Sequence, residues 1–210
     1  MPIRNAVLPD NLKAVYLSAE DLRIAASILY NAYHDDPVFC EIFNSIEDGY
    51  EQRLRAAIRE ELNAFWQAKQ PMIGLFDEDR MLAVTCVVTP DDKFGPQRFW
   101  HWRLKMLLTA GYLGTRQMMD KEELIKQHMP ASRYHMISFI GVHPDHQQHG
   151  MGQMLLGAIQ ALLDADTTSE GVGVYVTLDK YLEFFKGAGY GVVEQLEVAG
   201  IAGHLMFKPR

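Results

Sequence analysis

The sequence predicts an α/β fold with helices packed around one mixed β-sheet. Short apolar segments rich in β-branched residues alternate with longer segments whose apolar residues recur at helical spacing. The predicted order is strand, helices, two strands, a helical insert, strand, helix, strand, helix and two strands, which is typical of this class. The chain has 210 residues, of which 48% are hydrophobic and 22% charged. This length and composition predict a single domain over residues 1–210 with a substantial core.

The first third of the chain predicts a strand followed by three helices. Residues 12–17 are apolar and partly β-branched, and Ser18 with an acid three residues later is typical of a helix start. This helix runs to Tyr33. The segment Asp35 to Pro37 ends it and starts a second short helix. Residues 50–67 predict an amphipathic helix, because their apolar residues repeat at helical spacing and charges occupy the other positions.

The middle third predicts a β-hairpin and then a helical insert. Met72 to Phe76 and Met81 to Val88 are apolar segments joined by a polar turn. The second segment is apolar almost throughout, as expected of a central strand. Residues 89–96 predict a loop, because they contain Pro, Gly and Asp. Apolar residues at helical spacing then predict a helical insert at about residues 96–130.

The last third predicts a strand, a turn and a helix, followed by further elements. Tyr134 to Val142 predicts the strand, and the turn His143 to Gly150 contains three histidines and ends in glycine. An evenly apolar helix comes next. Gly171 to Leu178 predicts another strand and Asp179 to Gly189 a short helix, after which two strands extend to Phe207.

The composition limits the kinds of molecule that the protein is expected to bind. The formal net charge is −7, whereas gripping a nucleic-acid backbone requires many Lys and Arg contacts. A negatively charged protein is expected to bind cationic or neutral small molecules more readily than anionic polymers. The two cysteines, Cys40 and Cys86, lack the spacing of a zinc site or a redox pair. No signal-peptide pattern is present, and no apolar run approaches the ~20 residues that span a bilayer. We therefore expect a cytoplasmic protein that binds neither membrane nor nucleic acid.

The turn after Val142 predicts an anion site. A strand, a short turn and a helix starting near Gly150 place free backbone N–H groups at the end of the sheet. The first turn of a helix presents unpaired donors and about half a positive charge, and glycines let a phosphate approach the backbone. The pattern is neither a Walker loop, which requires Gly-x-x-x-x-Gly-Lys-Ser/Thr, nor a Rossmann fingerprint, whose third glycine is replaced here by Leu155.

The same turn carries a family resemblance. Gln147 to Gly152, with the sequence Gln-Gln-His-Gly-Met-Gly, resembles the pyrophosphate loop Gln/Arg-x-x-Gly-x-Gly/Ala of the GNAT N-acetyltransferase superfamily. Val142-His143-Pro144 before the loop and Leu155-Leu156 after it also fit, and Tyr181 to Glu194 resembles the family's C-terminal helix and strand. The resemblance implies a single-domain GNAT-like fold and acetyl-coenzyme A-dependent transfer of an acetyl group to an amine of a small molecule or protein.

The resemblance also implies which residues bind acetyl-coenzyme A. The pyrophosphate is expected on the N–H groups of the loop. The peptide groups of Ile140 and Val142 are expected to pair with the pantetheine arm, and one of their N–H groups to polarise the thioester carbonyl. The implied cofactor-binding residues are Ile140, Gly141, Val142, Gln147, Gln148, His149, Gly150, Met151, Gly152, Gln153, Tyr181, Phe184 and Phe185.

The catalytic acid and base depart from the family pattern. Phe185 stands where many family members carry a tyrosine thought to protonate the leaving thiolate, and phenylalanine cannot donate a proton. Tyr181, four residues earlier on the same helix face, is the predicted substitute; an aromatic lid over the cofactor arm is the alternative. Met136 occupies the position of the glutamate base of some relatives. The adjacent His135 is the predicted base, and a structural histidine at the strand start is the alternative.

Three histidines in the turn raise the question of a metal site. His143, His146 and His149 are evenly spaced, but the segment has no cysteine and Asp145 is its only acid. We therefore predict no metal. His149 is expected near the pyrophosphate instead, where relatives often carry a basic residue.

Several alternatives stay open. The lack of a clear acid and base also fits a non-catalytic domain that binds or senses acyl-coenzyme A, and the helix end fits an unrelated phosphate-ester binding protein. The large apolar residues of the insert predict either core packing or one wall of the acceptor pocket; they are Phe99, Trp100, Trp102, Met106 and Met118-Met119. The final stretch, Gly200 to Arg210, fits either completion of the sheet or a homodimer contact.

Overall fold

In the computed structural model, seven strands form one mixed β-sheet. The structure describes residues 11–90 and 96–210, and of residues 96–110 it describes the backbone only. The strands are β1 (Leu12–Tyr16), β2 (Met72–Asp77), β3 (Arg80–Val88), β4 (His135–Val142), β5 (Gly171–Val176), β6 (Gly191–Val198) and β7 (Ile201–Pro209). Their order in the sheet is β1-β2-β3-β4-β5-β7-β6. Neighbouring strands are antiparallel except β4 and β5, which are parallel. The predicted mixed sheet is confirmed.

The helices follow the predicted order along the chain. They are α1 (Leu22–Tyr33), α2 (Pro37–Ile42), α3 (Tyr50–Ala68), α4 (Pro96–His128), α5 (Met151–Ala165) and α6 (Leu182–Gly187). Among the described residues, no helix is both long enough and apolar enough to cross a membrane.

Side-chain caps fix the helices that lead into the site. Asp21 accepts hydrogen bonds from the Ser18 backbone N–H and hydroxyl, each at 2.7 Å, just before α1. Asp36 caps α2, since its Oδ1 accepts from the N–H groups of Val38 at 3.0 Å and Phe39 at 3.1 Å. These bonds satisfy donors that a helix start otherwise leaves unpaired. The turn between α1 and α2 is therefore held in place.

The helical insert, α4, consists of two helical stretches that meet at Gly111. The backbone of Gly111 is not helical, and its φ is 71°. This left-handed backbone conformation favours glycine, which has no Cβ to clash. Of the insert's large apolar residues, Phe99, Trp100, Trp102 and Met106 lie outside the described side chains. Met118 is 5% exposed and packs in the core.

Helices cover both faces of the sheet. Val84 and Cys86 of β3 belong to the buried cluster that α1, α2 and α3 form on one face. Ala83, next to Val84, belongs to a cluster with Met151 and Leu155 of α5 on the other face. Because successive strand residues point to opposite faces, both sets must be apolar. This explains the almost continuous apolar run of β3.

The sheet opens between its two parallel strands. β4 pairs with β5 only over His135–Ile137, opposite Val172–Val174. On its other side β4 faces β3, where Cys86 lies opposite Phe139 but Val87 opposite Ile137. Ser138 is therefore the extra residue of a β-bulge, which bends a strand and increases its local twist. Beyond it, β4 and β5 are no longer paired.

Candidate functional site

A cleft of about 520 Å³ lies where β4 and β5 separate. Its lining includes Ser138 and Ile140 to Val142 of β4, Val174 to Leu178 at the end of β5, and the turn between α1 and α2. Residues of the loop before α5 and of α6 complete it. The volume falls in the range of about 300–1,000 Å³ that is typical of small-ligand sites.

The predicted cofactor-binding residues converge on this cleft. All of them except His149 line it. His149 is only half-buried, and within the described part of the chain its Nδ1 has no hydrogen-bond partner. His146 lines the cleft instead. Burial lowers the pKa of His146, and the nearby Arg80 guanidinium lowers this pKa further. His146 is therefore neutral at pH 7 and does not supply the positive charge that we expected from His149.

The loop before α5 has the backbone shape of an anion site. Gln148 and Gly150 both have left-handed backbone angles, with φ of 62° and 77°. Alternation of left-handed and right-handed residues turns successive N–H groups toward one point, forming a concave anion-binding nest. Gly150 is the N-cap of α5 and has no side chain to bond the first-turn N–H groups. These donors remain available to an anionic ligand.

The second glycine of the motif is needed for helix packing. A Cβ at Gly152 would lie 3.0 Å from the ring of Phe184, which is tighter than ordinary carbon contacts. Gly141 plays a similar part in β4, because its Cβ would lie 3.0 Å from the Ala32 side chain of α1. Both glycines therefore let helices approach the cleft closely.

Comparison with known sequences gives limited information. No family model matches the chain. The sequence is 24% identical over 205 residues to a probable serine/threonine-protein kinase of Dictyostelium discoideum. The alignment covers 89% of this chain and 21% of that protein. The chain thus spans about a fifth of the length of the curated relative that it matches.

Comparison with solved structures is decisive for the fold. A structure described as histone acetyltransferase HPA2 and related acetyltransferase, from Corynebacterium glutamicum, matches with a TM-score of 0.69 and 15% identity, covering 94% of this chain and 96% of that one. A PaiA N-acetyltransferase of Thermoplasma acidophilum, in complex with coenzyme A, matches with a TM-score of 0.59 and 12% identity over 95% and 99%. A putative GNAT-family acetyltransferase of Desulfovibrio desulfuricans matches with a TM-score of 0.56 and 13% identity, covering 95% of this chain and 99% of that one. The protein has the GNAT fold.

Within the GNAT fold, Tyr181 lies at the cleft, as its predicted role requires. It is 41% exposed and lines the cleft, and the Lys180 ammonium lies 4.9 Å from the centre of its ring. This position is compatible with both interpretations of Tyr181, the proton donor and the aromatic lid. The catalytic role stays a prediction.

Phe185 also borders the cleft but belongs to the core. It is 4% exposed and packs against Phe184 and Tyr190, with ring centres 5.0 and 5.4 Å away. Its neighbours in the buried cluster include Ile137 of β4 and Leu156 of α5. The phenylalanine thus ties α6 to the sheet and to α5.

The position of His135 does not support its predicted role as a base. His135 lies at the start of β4, before the bulge, and does not line the cleft. It is 2% exposed, with Nδ1 2.9 Å from the Ser169 hydroxyl and Nε2 4.0 Å from the Asp166 carboxylate. The alternative of a structural histidine describes this environment better.

His135 should make the stability of the protein depend on pH. Burial lowers its pKa below the ordinary value of 6.5, which outweighs the opposing effect of the Asp166 carboxylate. The unfolded state therefore binds more protons, and stability falls as pH drops below about 6.5. We expect the melting temperature of the wild type to fall more between pH 7.5 and 5.5 than that of His135→Asn, whose amide keeps a polar group near Ser169. Equal falls in thermal denaturation would contradict this assignment.

The three turn histidines do not come together as a metal site. His143 and His146 pack edge to face with ring centres 5.7 Å apart, and His143 Nδ1 accepts a hydrogen bond from the Asp145 N–H at 3.3 Å. Among the residues that the structure describes, no group of three or more His, Cys, Asp or Glu side chains is placed to hold a metal ion.

Sequence reasoning missed several polar residues of the cleft, and three of them lie on its helical side. Tyr33 ends α1, Asp36 begins α2 and Lys121 belongs to the described part of α4; all three line the cleft. In the sequence, Tyr33 is one more apolar-stripe residue and Asp36 is part of a helix stop. Their place beside β4 depends on tertiary packing. Lys121 also shows that α4 contributes to this wall, with its Nζ 5.3 Å from the ring of Phe39.

Proposed function

We propose that the protein is an acetyl-coenzyme A-dependent N-acetyltransferase, which transfers the acetyl group directly to an amine of a small molecule or a protein. The observation that carries the proposal is the continuity between the anion-binding loop and the unpaired part of β4 beyond Ser138. Coenzyme A combines an anionic diphosphate with an extended arm containing amides. The nest at Gln148 and Gly150 suits the diphosphate, and the part of β4 that is not paired with β5 suits the arm.

In the proposed reaction, the protein mainly has to position the two substrates and polarise the thioester carbonyl. The amine nitrogen attacks the thioester carbonyl carbon, a C–N bond forms, the C–S bond breaks, and the amine proton passes to solvent or a base. A thiol with a pKa of about 8.5 is deprotonated at pH 7 at a cost of only about 2 kcal/mol. Thiolate can therefore leave without a strong acid. The phenylalanine at position 185 is compatible with turnover for this reason.

Asp36 gives the acceptor side of the cleft a negative charge. Its side chain is 6% exposed and lines the cleft, and its Oδ2 also accepts a hydrogen bond from the Thr177 hydroxyl. Among the described residues it has no cationic partner. A buried carboxylate without a counter-charge is costly, and the protonated form of an amine acceptor would compensate it. We therefore propose that Asp36 attracts the acceptor amine.

Replacing Asp36 with asparagine should weaken acceptor binding. Asparagine is also a good N-cap, so α2 keeps its capped start while the charge is removed. A hydrogen bond to a charged group contributes about 1.5–3 kcal/mol, which corresponds to an increase of about 10- to 150-fold in KM for the amine. The KM for acetyl-coenzyme A should stay near the wild-type value in steady-state kinetics.

Asp35→Asn provides the matched control. Asp35 is the preceding residue, its side chain is 94% exposed, and it does not line the cleft. It should behave as the wild type. If both variants keep the wild-type KM for the amine, Asp36 does not bind the acceptor.

The proposed function itself is tested by a transfer assay. The purified protein is incubated with acetyl-coenzyme A and a panel of small amines and peptides, and both thiol release and the mass of the acetylated product are measured. Transfer to an amine supports the proposal. Binding of both coenzyme A forms without transfer over the panel would favour the non-catalytic alternative. Binding of ADP as tightly as coenzyme A would favour a general phosphate-ester site.

A further inference from the structure

A tyrosine hydroxyl occupies the position where β4 first becomes free of β5. The Tyr33 hydroxyl oxygen accepts a hydrogen bond from the Ile140 N–H at 3.1 Å. Its ring is held between aromatic neighbours, with centres 5.4 Å from Phe39 and 5.4 Å from Phe139. The hydroxyl is thus a positioned group inside the cleft.

The bulge of β4 creates this contact. The N–H of His143 donates to the Leu82 carbonyl of β3 at 2.8 Å. Because peptide groups alternate along a strand, the N–H groups of Val142 and Ile140 point away from β3, into the opening that β5 has left. The extra residue at Ser138 also reverses which face of the sheet the following side chains of β4 point to. Ile137 packs in the cluster on the α5 side, whereas Phe139, two residues later, packs in the cluster on the α1 side, beside Tyr33.

The Tyr33 hydroxyl is also an unused donor. Within the described residues it accepts the Ile140 bond but finds no acceptor for its own hydrogen. A phenol has one O–H donor, and a donor in a largely buried place normally has a partner. The Ile140 N–H bonds the tyrosine oxygen at 3.1 Å, so it holds the hydroxyl in place and polarises its O–H bond. The O–H is left to donate to an oxygen atom of a ligand in the cleft.

We propose that the Tyr33 hydroxyl, held in place by the Ile140 N–H, donates a hydrogen bond to the thioester carbonyl oxygen and acts as an oxyanion donor. This inference rests on the proposed acetyltransferase function. When the amine attacks, the carbonyl carbon becomes tetrahedral and its oxygen gains negative charge. The hydroxyl donates more strongly to that charged oxygen than to the neutral carbonyl oxygen, so it stabilises the transition state more than the bound substrate.

Tyr33 is suited to donate a hydrogen bond and not to release its proton. Phenols have pKa values near 10 and thiols near 8.5, so an ordinary tyrosine is already a weaker acid than the coenzyme A thiol. Burial raises the pKa of Tyr33 above its ordinary value, and the Asp36 carboxylate adds to the increase, against the lowering effect of the Ile140 N–H. Tyr33 therefore stays protonated at neutral pH. This separates its role from that predicted for Tyr181, which is transfer of a proton to the thiolate.

The test uses Tyr33→Phe, which removes only the hydroxyl. We expect kcat to fall by about 10²- to 10³-fold, as when one oxyanion donor is removed from other enzymes. The dissociation constant for acetyl-coenzyme A should change little. Tyr30→Phe is the matched control, because Tyr30 lies one turn earlier on α1, is buried beneath the Arg55 guanidinium and does not line the cleft. It should keep the wild-type kcat.

A second readout does not depend on knowing the acceptor. Infrared spectra of acetyl-coenzyme A labelled with ¹³C at the carbonyl should show a lower carbonyl stretching frequency when bound to the wild type than in solution. This shift should be smaller in Tyr33→Phe. A wild-type kcat and an unchanged carbonyl shift in Tyr33→Phe would overturn the inference while leaving the acetyltransferase function intact. If the wild type neither binds nor uses acetyl-coenzyme A, the proposed function and the inference both fail.

Discussion

Replacing Gly150 with aspartate is expected to abolish useful affinity for acetyl-coenzyme A. Gly150 has a φ of 77° and directly precedes the first turn of α5. An L-residue in this conformation costs about 1–2 kcal/mol. A carboxylate here also faces the proposed diphosphate, and two like charges 4 Å apart repel by about 1–4 kcal/mol, depending on exposure to solvent. We expect the dissociation constant to rise at least tenfold, measured by isothermal titration calorimetry.

Gly150→Asn separates charge from backbone strain. Asparagine has nearly the same shape as aspartate and tolerates the left-handed conformation better than most residues. It should therefore retain most of the affinity that the aspartate variant loses. Equal affinity of the two variants would mean that no anionic group binds at this helix start, and the diphosphate would have to be placed elsewhere.

Truncating Phe185 to alanine is expected to destabilise the protein strongly. A buried phenylalanine replaced by alanine typically costs about 3–5 kcal/mol, because apolar contacts are lost and a cavity remains. For a chain of this size, 1 kcal/mol lowers the melting temperature by about 2–4 °C, so we expect a decrease of roughly 6–20 °C. Differential scanning calorimetry measures this directly.

Phe185→Leu is the control for the packing argument. Leucine keeps much of the apolar volume and should lower the melting temperature much less than alanine. If alanine is tolerated as well as leucine, Phe185 does not link α6 to the sheet. The absence of the family's tyrosine at this position would then need an explanation other than packing.

Local patterns predicted the elements around the loop well, for physical reasons. The run of β3 is apolar because helices cover both faces of the sheet. The loop from Gln147 to Gly152 could be recognised because the anion nest and the close approach of Phe184 each restrict the allowed residue types. Requirements of this kind act within a few residues and leave a visible pattern in the sequence.

Non-local contacts could not be predicted in this way. Tyr33 and Ile140 are 107 positions apart, and their contact depends on a bulge that adds only one residue to β4. Asp36 was interpreted as part of the segment that ends α1 and starts α2, and its capping bonds to α2 agree with that interpretation. Its second role, at the cleft, appears only when α2 is packed near the end of β5. His135 is the opposite case: its ordinary pKa suited a catalytic base, but it does not line the cleft.

The spacing of the loop histidines did not predict which of them lines the cleft. His146 and His149 are three residues apart in one turn, yet only His146 lines the cleft. The short 3₁₀ helix Pro144–His146 and the left-handed Gln148 decide which side chain faces inward. Sequence spacing alone cannot resolve such a choice, because it depends on backbone angles at single residues.

The central claim is that the cleft between β4 and β5 binds coenzyme A through the loop before α5. A thermal-shift titration of the wild type with acetyl-coenzyme A, coenzyme A and ATP tests it most directly. A ligand at a hundred times its dissociation constant adds about 2.7 kcal/mol, which should raise the melting temperature by roughly 5–11 °C. We expect this rise with both coenzyme A forms and little rise with ATP. No rise with either coenzyme A form would contradict it.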